Sequence, residues 1–107
     1  MSKRERRTLA SCLEVLVMHL LKWCYQSARR GRSWSRTIQE QRQQIALLLI
    51  KSPSLHAAVP EFLQDAYRRA CQRAVRETRL PEATFPDACP WTVAQVLDQT
   101  FWPEEAG

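Results

Sequence analysis

The chain should fold as an all-α protein: a small bundle of three main helices, a short C-terminal helix and an extended Pro/Trp-rich clasp. Three observations lead there. Two apolar stripes follow one another at steps of 4, 3, 4, 3, first Leu9, Leu13, Leu16, Leu20 and Trp23, then Trp34, Ile38, Gln41, Ile45 and Leu48. Such steps set each row on one face of a helix. The chain holds only two glycines, and runs of β-branched residues are scarce, which favours helices over sheet. All six prolines fall after residue 52, so the first half can run as two unbroken helices joined by a short polar link, an antiparallel hairpin. At 107 residues this is a single domain, 1–107, large enough to bury a core but with little stability to spare.

The first helix should span about residues 3–25. Cys12, Val17, Leu21 and Cys24 flank its main stripe, with Val15 and Met18 beside them, so it should be a central helix touched on more than one side. The link is Gln26 to Arg32, turning at Gly31. The second helix, 33–51, takes Ser33 as its N-cap and stops at Pro53. Ser52-Pro53-Ser54 reads as a turn, followed by a short helical piece through Val59. Pro60 and Glu61 suit the first turn of a third helix, 60–78. Its inner stripe is Leu63, Ala66, Tyr67, Ala70 and Ala74, and Arg69, Arg73 and Arg76 form a solvated basic ridge opposite. Residues 79–91 hold three prolines and no periodicity, so they form a loop. Thr92-Val93-Ala94-Gln95 has the form of a capping box, with Trp91 and Val96 placed as its hydrophobic staple, and opens a fourth helix over 92–97. Residues 80–107 should wrap the bundle, with Phe101-Trp102 as the clasp and Trp23, Trp34 and Trp102 mostly buried.

Charge is unevenly spread. Residues 1–52 hold eleven Lys/Arg against Glu5, Glu14 and Glu40, while residues 53–107 hold five Arg against eight Asp/Glu. A solvated basic surface is the plain reading, and an anionic partner the sharper one. Lys3, Arg4, Arg6 and Arg7 ahead of an apolar stretch loosely mimic a signal peptide, but Glu14, His19 and Lys22 interrupt it. The stretch therefore reads as an amphipathic core helix of a cytoplasmic protein, without membrane insertion. The four cysteines form no CxxC pair. Cys12 and Cys24 would lie ~18 Å apart on one helix and cannot bridge. Reduced structural thiols follow, which suits that compartment.

No nucleophile–base signature, phosphate loop, zinc spacing or paired catalytic carboxylates can be read, and no cofactor or metal is implied. His19 is a structural histidine before it is a base or ligand. Gln41 replaces an apolar residue in the second stripe, so it either fixes helix register or meets a ligand. With Lys22, Thr37 and Arg42, these two could form a polar pocket where helices 1 and 2 meet. Arg29, Arg30, Arg32 and Arg36, interleaved with Trp34, have a composition that suits phosphate contact with base stacking, although Trp34 also fits the buried stripe.

The stretch His19-Leu20-Leu21-Lys22-Trp23, then Arg30, Ser33-Trp34, Thr37-Ile38 and Glu40-Gln41-Arg42, resembles the core motif of the domain-of-unknown-function 29 family, a bacterial family. The likeness continues at Ser52-Pro53-Ser54-Leu55, Phe85-Pro86, Cys89-Pro90-Trp91-Thr92 and Asp98 to Pro103, and covers nearly the whole chain. The resemblance implies packed helices and no assigned activity. It also implies an acidic, aromatic N-terminal segment that this chain lacks, which should leave apolar flank on helix 1 uncovered and invite a homo-oligomer or a partner protein. The expected function is a protein-interaction or scaffold module without catalysis. A basic nucleic-acid-binding or toxin–antitoxin-like regulatory module is the first alternative. A divergent enzyme built on His19, Lys22, Gln41 and Arg42 is the second.

Overall fold

The computed structural model describes residues 2–106 and contains helices only among them. Helix α1 spans Lys3–Tyr25, α2 Arg32–Lys51, α3 Val59–Thr78 and α4 Val93–Leu97. Short 3-10 turns at Ser27–Arg29, Pro53–Ala58 and Glu82–Thr84 lie between them. Each boundary has a chemical cause. Ser2 caps α1: its hydroxyl accepts from the Glu5 N–H, and Glu5 reaches back to the Ser2 N–H, a capping box spelled out in the sequence. The expected box at Thr92 and Gln95 also forms, and it starts α4. Helix α2 differs from expectation. Its cap is Gly31, in extended backbone and without a side-chain bond, and Ser33 already lies inside the helix. Helix α3 ends on Arg79 in the left-handed conformation, at φ 60°, where glycine is the usual occupant.

Helix α1 is the centre of the bundle. It packs against α2 on one side and α3 on the other, while α2 and α3 barely touch. Cys12 meets Gln44 across the α1–α2 seam and Glu5 meets Ser52, so the pair is antiparallel. Glu14 meets Arg73 and Lys22 meets Glu77, so α3 runs in the same direction as α1. Leu9, Leu13, Leu16, Leu20 and Leu21 are completely buried. An 18-residue window of α1 has a mean hydropathy of 1.2, long and apolar enough to cross a bilayer, yet in this fold those leucines form the core.

One expectation is corrected here. The apolar flank of α1 is not left bare, because α2, α3 and the C-terminal segment cover it. The tail runs back to the end of α1, where the Ala106 N–H donates to Cys24 O at 3.0 Å and the Cys24 thiol donates to Glu104 O at 3.2 Å. Trp23, Trp34 and Trp102 are mostly but not completely covered, as expected, and Trp23 and Trp102 pack against the edge of the core.

Candidate functional site

The buried row of α2 is Ile38, Arg42, Ile45 and Leu49. It is turned by one residue from the expected row, so Gln41 and Leu48 fall on its flank and are only half-buried. The polar residue set into the core is therefore Arg42, with 1% of its surface exposed. Its guanidinium faces backbone carbonyls instead of a carboxylate. Nε donates to Val96 O at 2.8 Å, Nη1 to Phe101 O at 2.7 Å and, more weakly, Nη2 to Gln95 O at 3.4 Å. These carbonyls belong to the end of α4 and the turn after it. Helix C-termini carry partial negative charge, which favours a cation there. Burial still lowers the Arg42 pKa, and Asp98 nearby opposes that shift. Arg42 thus pins the C-terminal segment to the bundle.

The aromatic clasp lies beside this pin. The Trp23 and Trp102 ring centroids are 4.7 Å apart. Arg42 lies 5.8 Å from the Trp102 centroid and Arg30 lies 5.0 Å from that of Trp23. The result is a cation–aromatic–aromatic–cation stack joining α1, the α1–α2 link, α2 and the tail. Arg30 Nε also donates to Trp23 O at 2.7 Å, and its Nη2 is shut off from solvent with no hydrogen-bond partner among the described residues. Arg30 is therefore an internal brace, unlike Arg29, Arg32 and Arg36, which are exposed.

His19 and Lys22 face α3. His19 Nδ1 lies 2.8 Å from Val15 O, so in the neutral ring Nδ1 carries the proton and Nε2 is left bare. Burial lowers its pKa, with the bond to Val15 O opposing that shift and Lys22 reinforcing it. Lys22 sits between the Trp34 ring, 4.8 Å away, and Glu77, 3.2 Å away. Arg73 pairs with Glu14 at 3.0 Å, so it belongs to the α1–α3 interface and not to a free basic ridge.

The five residues expected to share a pocket do not converge. Lys22 joins an ionic network with Glu77 and Arg73, and His19 is bonded to Val15 O beside it. Thr37 donates to Ser33 O of its own helix at 3.0 Å. Gln41 lines a shallow groove between α1 and α2 with Arg7, Ser11, Cys12 and Gln44, and Arg42 lies beneath the tail. The larger cavity, about 780 Å³, opens elsewhere, between α3 and the 82–89 loop, and is lined by Tyr67, Cys71, Val75, Phe85, Pro86 and Cys89 among others. Its floor is largely apolar. The Tyr67 hydroxyl is committed to Pro86 O at 2.6 Å, and burial raises the pKa of both thiols. Among the described residues, no three His, Cys, Asp or Glu side chains come together as a metal site.

Buried polar groups here hold helices and tail together, and the arrangement defines a small all-α domain braced by arginine. The sequence model of the family described as Domain of unknown function DUF29 matches residues 1–102. The chain belongs to that family. Comparison with curated proteins and with solved structures gives no match.

Proposed function

We propose that this chain is a protein-interaction module without catalysis of its own, working through the outer face of α2. One observation carries this reading. Leu47 and Ile50 are 61% and 76% exposed, and they stand side by side one helical turn apart. Single exposed apolar residues are ordinary, but a neighbouring pair on a largely polar outer face is a contact surface in small form. The polar groups that chemistry would need are committed elsewhere: Arg42 to carbonyls, Lys22 and Arg73 to carboxylates. A photoreactive amino acid placed at position 47 or 50 in cells should form adducts with polypeptide, while the same group at Arg69 on α3 should not. Absence of polypeptide adducts at 47 and 50, or equal adducts at 69, would overturn the reading.

A second reading rests on Arg29, Arg32 and Arg36, which are exposed and join no ion pair among the described residues. That basic end suits a phosphate backbone. Binding to duplex DNA or RNA that falls steeply with salt would support it, and salt-independent or absent binding would remove it.

A further inference from the structure

The outer face of α2 carries a pattern of its own. Arg36, Glu40, Gln43, Leu47 and Ile50 succeed each other at steps of 4, 3, 4, 3, and every one is exposed. This is a second heptad row, on the side of the helix opposite Ile38, Arg42, Ile45 and Leu49. One face of α2 is thus built for the core, and the other has the spacing that lets a helix accept another helix.

We propose that this row is the docking surface for a second copy of the chain, α2 against α2 and antiparallel, an inference that rests on the interaction reading above. Self-complementarity under a two-fold axis is the argument. In the antiparallel arrangement Leu47 of each copy packs against Gln43 of the other, and Ile50 packs against Glu40. The two Leu47 side chains then approach each other across the axis, about 6 Å apart along the helix direction, and each Ile50 lies one turn further out. Glu40 comes within reach of Lys51 of the second copy, the residue next to Ile50. Both Glu40 and Lys51 are exposed and belong to no ion pair among the described residues, so each is available. A parallel arrangement would place Glu40 on Glu40 and Arg36 on Arg36, and like charges face to face disfavour it.

Other occupants fit the row less well. A phosphate backbone would meet Glu40 at its centre. A lipid surface would have to bury Glu40 with no cation to pair it, whereas a second copy brings Lys51. The size of the surface also sets an expectation. The row spans about 21 Å of helix, and a single helix face of that length buries less than the ~800 Å² per partner typical of stable complexes. The dimer should therefore be weak, with a Kd on the order of tens to hundreds of micromolar.

The test is sedimentation velocity on the full chain from about 10 µM to about 1 mM, bracketing that range. The expected result is a shift from monomer to dimer with rising concentration. Ile50→Lys should weaken it tenfold or more, and because Ile50 is exposed its unfolding midpoint should match the parent. Glu40→Lys and Lys51→Glu should each weaken the dimer, while the double variant should regain most of the parent affinity, which fixes the antiparallel register. A chain that stays monomeric to about 1 mM, or a dimer indifferent to these three substitutions, overturns the proposal. If the chain is monomeric but positions 47 and 50 still capture another polypeptide in cells, this proposal fails and the interaction reading stands. If they capture nothing, both fail.

Discussion

Replacing Arg42 with methionine is the most direct test of how the C-terminal segment is held. Methionine keeps the unbranched stem and deletes the guanidinium. Two well-formed bonds are lost, to Val96 O at 2.8 Å and Phe101 O at 2.7 Å, and the long third bond to Gln95 O counts for little. Hydrogen bonds to charged groups contribute ~1.5–3 kcal/mol each, so the gross loss is about 3–6 kcal/mol. Against this, the variant no longer desolvates a cation, and apolar replacements of buried charges are sometimes neutral for that reason. Here the carbonyls stay behind without a partner, because Val96 O and Phe101 O accept from no other group among the described residues. The net expectation is about 3 kcal/mol, a large part of the ~5–15 kcal/mol of a small domain.

Urea unfolding followed by tryptophan fluorescence reads this directly, since Trp102 lies beside Arg42. With an m-value of ~1–3 kcal/mol/M, the midpoint should fall by roughly 1–3 M. Arg42→Lys keeps the charge but not the forked donors, and should fall between the two. A methionine variant unfolding within about 0.3 M of the parent would refute the reasoning: Arg42 would then be a tolerated buried charge and not the pin of the tail.

Trp102→Ala should destabilise by about 2–3 kcal/mol, at or below the low end of the ~3–5 kcal/mol of a fully buried tryptophan because part of the residue stays exposed, and thermal or urea unfolding checks it. Stability should decline as pH falls from about 6.5 through the lower value that burial gives His19 in the fold, because the unfolded chain binds the proton more readily. Lys22, Arg73 and Glu77 are the charged groups facing that ring, and His19→Phe should flatten the decline between pH 7 and 5.5, as urea midpoints at each pH would show. Arg79→Gly should be neutral or stabilising by about 0.5–1 kcal/mol, since it relieves a left-handed backbone at φ 60°. Cys71 and Cys89 line an open cleft and should react with a thiol reagent before the buried Cys12 and Cys24, an order that mass spectrometry of labelled peptides can establish.

The helices were legible in the sequence because their signals are local. Proline stops, capping residues and the long stripe of α1 each act within a few positions, and the expected and observed bounds agree to within a residue. The site was not legible, for a reason that α2 makes plain. Rows through 34, 38, 41, 45 and through 34, 38, 42, 45 both satisfy helical spacing. Hydropathy alone puts neither Gln41 nor Arg42 inside. What selects Arg42 is a set of carbonyls 53 to 59 positions away along the chain, and no local pattern announces that a distant turn will present bare acceptors. The next stretch is harder still. Ile45-Ala46-Leu47-Leu48-Leu49-Ile50 is apolar at every position, so periodicity vanishes just where the helix decides which leucines face the core. Packing buries Ile45 and Leu49 and leaves Leu47 and Ile50 outside. Six apolar residues in a row cannot all enter one core stripe about 100° wide, so such a run on a two-faced helix implies that some of them must find another neighbour. That constraint, and not any motif, is what directs attention to the outer face of α2.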